Sequence, residues 1–127
     1  MTIYPSLDEV LSAHARLLIL FGGAHGIRDQ GALESALARP QSGYYRDIIE
    51  QAAALLESLS QNHPFVDGNK RTAIAVTAAF LRVNGFRLEF DDLAAYQFLI
   101  GLYETNQFQF GRLESWLRQH AVPSPNP

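Results

Sequence analysis

The chain has 127 residues, 47% of them hydrophobic and 18% charged, the size and mix of one globular domain with a single core. Thirteen acidic against ten basic residues give a formal charge of -3, which speaks against direct nucleic-acid binding, since neutralising phosphates needs a basic surface. Cysteine is absent, so disulfides and thiolate metal sites are excluded, and the longest early apolar run, Leu17 to Phe21, is too short and too late for a signal peptide and far too short to cross a bilayer; a cytoplasmic protein with no membrane contact is expected.

Ser6 and Glu9 make the Ser-x-x-Glu pattern of a capping box. Leu7, Val10, Leu11, His14, Leu17, Leu18 and Phe21 then recur at helical spacing, and Gly22-Gly23 ends the helix they predict. His14 sits on that stripe as a histidine at the edge of the core. Residues 22–31, with four glycines, read as a polar loop in which Arg28 and Asp29 make turn and capping contacts. A short helix from about Ala32 to Arg39 is closed by Pro40. Ile48 to Leu59 is a strongly apolar helix, with Ile48, Ala52, Leu55, Leu56 and Leu59 on one face. The helix from about Asn69 to Val83 is small or β-branched nearly all round, which places it at the centre of the bundle, and Asn84-Gly85 stops it. Phe86 to Phe90 alternates as a strand would, yet five residues without an obvious partner read as an extended connector. Asp91 or Asp92 caps a helix from about Leu93 to Glu104, Gln107 to Gly111 is a loop or a small extended piece, and a last helix from about Arg112 to His120 turns Leu113, Trp116 and Leu117 inward. The expected fold class is all-α: one domain over residues 1–122, a bundle of about six helices, followed by a flexible Pro-rich tail, 123–127.

One stretch stands apart, His63-Pro-Phe-Val-Asp-Gly-Asn-Lys-Arg-Thr72, between two buried helices with its basic end entering the second. A buried junction has no structural use for so many polar groups, each of which must be paired or costs stability, and a ligand would satisfy them together. The parts suit phosphate chemistry. Gly68 allows close backbone approach. Asn69, Lys70 and Arg71 open a helix whose free N–H groups and dipole favour anions, and Arg71 can grip two phosphate oxygens at once. Asp67 is a single carboxylate beside that anion site, the usual protein share of a magnesium site. The imidazole of His63 suits a general base. Phe65 is an apolar anchor that turns His63 and Asp67 toward one cleft. Without cysteine or a His-x-x-x-His pair, zinc is not expected.

The stretch closely resembles the signature of the Fic/Doc superfamily, His-x-Phe-x-Asp/Glu-Gly-Asn-x-Arg, at six fixed positions. Asn69-Lys70-Arg71-Thr72-Ala73 is similar to the Doc (death-on-curing) branch, as are Gly26 to Gln41 and Phe80 to Gly85, so the resemblance spans most of the chain. It implies an all-helical fold with the motif at a loop-to-helix junction, a toxin paired with an antitoxin protein, and use of ATP with Mg2+. Many Fic relatives transfer AMP to a protein hydroxyl. The Doc branch instead transfers the γ-phosphate of ATP to a threonine, with elongation factor Tu of the translation machinery as the target associated with the family. By this resemblance His63 takes the place of the catalytic base, Asp67 that of the metal-associated acid, and Gly68, Asn69, Lys70 and Arg71 those of the nucleotide-phosphate binders.

Lys70 stands where the AMP-transferring pattern has glycine, and Ile74 where it has a second arginine; both departures favour the kinase reading. The resemblance also makes Tyr44 and Tyr45, within Arg39 to Arg46, candidates for a flap that clamps the target by backbone pairing, with ordinary packing on the bundle as the alternative. Some Fic relatives restrain themselves through a Ser/Thr-x-x-x-Glu helix, and no Ser or Thr here has a Glu four residues later. Restraint is therefore expected from an antitoxin segment that folds on binding. Protein AMP transfer through the same His63, and a catalytically idle antitoxin-binding module, are the alternatives to the kinase.

Overall fold

The computed structural model describes residues 1–124. Helix starts follow local hydrogen bonding. The first helix, α1 (Leu7–Phe21), opens on a closed capping box: the Ser6 hydroxyl accepts from the Glu9 N–H at 3.1 Å and the Glu9 carboxylate accepts from the Ser6 N–H at 2.9 Å. Gly22, at φ 80°, ends it. Asp29 caps α2 (Gln30–Ala38), which therefore starts two residues before Ala32. A 3-10 turn, Arg39–Gln41, carries the chain over Pro40, and Asp47 caps α3 (Ile48–Gln61). Next come α4 (Asn69–Val83), α5 (Asp92–Glu104) and α6 (Phe110–His120). Asp91 is the N-cap of α5, but its side chain makes no capping bond. Helix α6 starts two residues early because the Phe110 N–H is fixed by the Glu57 carboxylate of α3, at 2.8 Å.

The all-α expectation stands, with one local correction. Residues Phe86–Leu88 form a short strand, β1, paired antiparallel with β2 (Ala121–Pro123), Arg87 opposite Val122. The partner lies at the far end of the chain, where no local pattern signals it. The ladder continues from Glu89 N–H to His120 O and from Ser124 N–H to Gly85 O, each 2.8 Å. Pairing thus reaches past residue 122; the remainder of the tail lies outside the described residues.

The centre belongs to α3 as much as to α4. Helix α3 packs on α4, α6 and α2 and buries the unbroken run Ala52 to Leu56. Helix α4 rests on α3, α1 and β1, and leaves Ala79 and Arg71 exposed. Its small side chains permit burial without enforcing it, because each removes little apolar area from water. The α3–α4 junction therefore emerges from the middle of the bundle, and the 63–71 motif lies there. Among the described residues no helix is long and apolar enough to cross a membrane.

Candidate active site

The loop between α3 and α4 is held from three sides. Phe65, 1% exposed, is wedged into the core, and the ring of His14 from α1 stacks on it with centroids 3.7 Å apart and planes 7° from parallel. His14 Nε2 lies 2.8 Å from the carbonyl oxygen of Asp67. A carbonyl only accepts, so His14 carries its proton on Nε2 and donates. From α4, Asn69 closes on Phe65 at both ends of its amide: Oδ1 accepts from the Phe65 N–H and Nδ2 donates to the Phe65 carbonyl, each 2.9 Å. From outside, the 22–29 loop runs antiparallel to the motif, with Val66 N–H to Gly26 O at 3.0 Å and the Arg28 and Asp29 N–H groups to Pro64 O at 2.8 and 3.0 Å. Asp29 caps α2, so the turn-and-capping reading of this loop holds.

His14 is thus a strut of the motif, and a replacement separates its two contacts. His14→Phe keeps a ring for the stack but removes the donor to Asp67. It is expected to lower stability by about 1 kcal/mol, the worth of a hydrogen bond whose partner is left unpaired. Urea unfolding at neutral pH reads this directly, and an unchanged midpoint would show that the bond contributes nothing.

Gly68 takes φ 78° and leads into α4, which no side chain caps, unlike α1, α2 and α3. The first-turn N–H groups of α4 are therefore left for an external acceptor. The Asp67 carboxylate accepts from the Ala24 N–H at 3.1 Å and from the Gly68 N–H at 2.8 Å. These two bonds, Ala24 first, hold its carboxyl below the usual carboxylate range, with Arg71 adding to the effect. Their stabilisation is full above the unfolded carboxyl pKa and fades as pH falls through the lowered folded value. The approach needs Gly23: at its φ of 126° an added Cβ would stand 2.9 Å from Asp67 Oδ2 and 2.9 Å from a Leu18 methyl.

The two cations pair with rings rather than carboxylates. Lys70 Nζ lies 3.7 Å from the centroid of Tyr103, and the Arg71 guanidinium 4.5 Å from that of Phe21. Neither forms an ion pair among the described residues. A cation over an aromatic face gains only about 0.5–1 kcal/mol at an exposed site, so an arriving phosphate competes easily for it.

His63, Asp67, Gly68, Asn69, Lys70 and Arg71 line one cleft of about 290 Å³, with Tyr96, Ile100 and Tyr103 of α5 as the facing wall. Phe65 lies behind them, buried in the core. Spacings of four and seven put the three α5 residues on one helix face, a signal present in the sequence but not used. A second, apolar groove of about 400 Å³ adjoins the cleft. It shares Lys70 and Arg71 and is walled by Leu17, Phe21, Ile74 and Leu99. Tyr44 and Tyr45 line neither space. The Tyr45 hydroxyl accepts from Arg39 Nε at 2.7 Å and its ring packs on Phe110, while Arg39 also pairs with Glu57 at 2.7 Å. Tyr45 thus belongs to the bundle, and Tyr44, 82% exposed, is the one open to another chain. Among the described residues no group of three or more His, Cys, Asp or Glu is placed to hold a metal. Asp67 alone fits an ion whose other ligands are phosphate oxygens and water.

Comparison with known proteins finds a matching family and similar chains. The model of the Fic/DOC family matches residues 4–81, the span from before α1 to near the end of α4. The chain is 46% identical to the protein named Toxin Doc of Mycolicibacterium smegmatis over 96 residues, 72% of each chain. It is 32% identical over 87 residues to the protein named Protein kinase doc of Escherichia phage P1, 65% of this chain and 69% of that one.

Proposed function

This chain belongs to the Fic/DOC family as a Doc-type member, and on that footing we propose that it is the toxin of a toxin–antitoxin pair and a cytoplasmic protein kinase. Its reaction moves the γ-phosphate of ATP to a threonine or serine hydroxyl of a translation factor of the elongation factor Tu kind, which stops translation. One observation carries the reading: His63, an ionised Asp67 and two cations that pair with no carboxylate among the described residues surround a single cleft at the uncapped start of α4. The name of the phage relative supports phosphate transfer, as do Lys70 and Ile74 at the positions where AMP transfer calls for glycine and arginine.

The target hydroxyl enters beside His63, whose imidazole takes its proton. The freed oxygen bonds to the γ-phosphorus, the bond from that phosphorus to the bridging oxygen breaks, and ADP leaves with the electron pair. The α4 N–H groups, Lys70 and Arg71 hold the phosphates in place. Asn69 has spent one amide N–H and its oxygen on Phe65, so it fixes the loop and retains one N–H for a phosphate oxygen. Asp67 is the residue that would hold Mg2+, which when bound neutralises phosphate charge. The apolar groove between α1 and α5, beside Lys70 and Arg71, suits an antitoxin segment that folds into a helix on binding.

ATP labelled at either phosphate tests the proposal, with purified protein and elongation factor Tu. Label from the γ-phosphate on the target is the expected result. Label from the α-phosphate means AMP transfer instead, and no label from either means an idle binding module or another target.

A further inference from the structure

Among the described residues two non-glycines take positive φ, His63 at 48° and Asn106 at 60°. Asn106 follows the C-cap of α5, a place where asparagine commonly turns left-handed. Histidine enters this region more readily than most residues, yet its β-carbon still makes the conformation unfavourable unless the surroundings favour it. The surroundings here are Arg28. Its Nε donates to the His63 carbonyl at 2.6 Å, its Nη2 to the Asn62 carbonyl at 2.8 Å, and its backbone N–H to the Pro64 carbonyl at 2.8 Å. Three successive carbonyls converge on one residue, and two of them are spanned by a planar fork that no other side chain offers. The guanidinium makes no ion pair among the described residues. Its charge meets the carbonyl end of α3 instead, where the helix dipole is negative.

We infer that Arg28 is a positioning residue for His63: its grip on the 62–64 carbonyls holds the left-handed turn that carries the His63 imidazole off the end of α3 and into the cleft. Arg28 does not line that cleft and acts only through His63. The functional half of the inference rests on His63 being the base of the proposed transfer; the structural half does not.

The test therefore has two readouts on the whole protein. A positive φ brings the amide hydrogen close to the Hα of its own residue, which gives a strong intra-residue cross-peak in the NMR spectrum of isotope-labelled protein. The wild type should show that strong peak at His63. In Arg28→Ala it should fall to the intensity of an ordinary residue, while kcat for γ-phosphate transfer drops at least about tenfold and KM for ATP stays unchanged. Arg28→Lys, with an ammonium that cannot span both carbonyls, should lie between, and it carries the test if Arg28→Ala does not fold. A wild-type His63 without the strong peak, or a peak equally strong in folded Arg28→Ala, overturns the inference. So does a loss of activity that appears in KM alone. Absence of phosphate transfer by the wild type would overturn the kinase reading, and the cross-peak would still decide whether Arg28 holds the turn.

Discussion

His63→Ala is expected to lower phosphate transfer by about 10²-fold or more while leaving the fold and nucleotide binding in place. The imidazole lines the cleft, half-buried, and makes no hydrogen bond among the described residues, so its removal leaves no partner stranded. The groups that hold this part of the loop bond to the backbone oxygens of Asn62, His63 and Pro64, which alanine retains. The anion-binding parts, the start of α4 with Lys70 and Arg71, are untouched. What disappears is the group that, in the proposed reaction, would take the proton from the attacking hydroxyl. Transfer from γ-labelled ATP, with thermal unfolding and ATP binding alongside, distinguishes this from general damage. A folded His63→Ala protein with near-normal transfer would remove His63 from the role of base.

Lys70→Gly is expected to lose most of the kinase activity, on the order of 10- to 100-fold, the kinetic equivalent of one charge-assisted contact to phosphate. Lys70 is one residue into α4, and its ammonium rests on Tyr103, so its stem crosses the cleft between the two walls. Glycine there would open that space, letting a nucleotide phosphate lie against the helix start and bring the α-phosphate to the hydroxyl near His63. On the proposed function, lysine fills the space and sets a point charge in it, so that ATP would present its γ-phosphate. Ile74 lies one turn further along the same helix, in the adjoining apolar groove. The double change Lys70→Gly with Ile74→Arg is accordingly expected to gain weak AMP transfer. Mass spectrometry of the modified target checks both parts. An added AMP from the wild-type enzyme, in place of an added phosphate, would overturn the kinase reading and leave the family membership standing.

Local chemistry made much of this protein legible from its residues alone. A capping box spans four residues, a glycine ends a helix where it stands, and the His63-to-Arg71 signature is contiguous. Each depends on neighbours within a turn or two, so Ser6, Gly22 and the start of α4 at Asn69 lie where the pattern put them. Tertiary structure decided the rest, because the partners are distant in the chain. The carbonyl of Asp67 meets His14 from 53 residues away, its carboxylate meets the Ala24 N–H from 43 away, and β1 finds β2 across the whole of α5 and α6. His14 looked like an edge-of-core histidine because helical spacing reports which face is buried and not what lies against it. Gly23 looked like a helix stop because a sequence shows the freedom of a glycine and not the carboxylate that needs its missing Cβ. The chemistry of the site was written in one segment; its geometry, with Arg28, Gly23 and His14 as supports and α5 as the opposite wall, arises only when burial of the apolar faces brings those segments together.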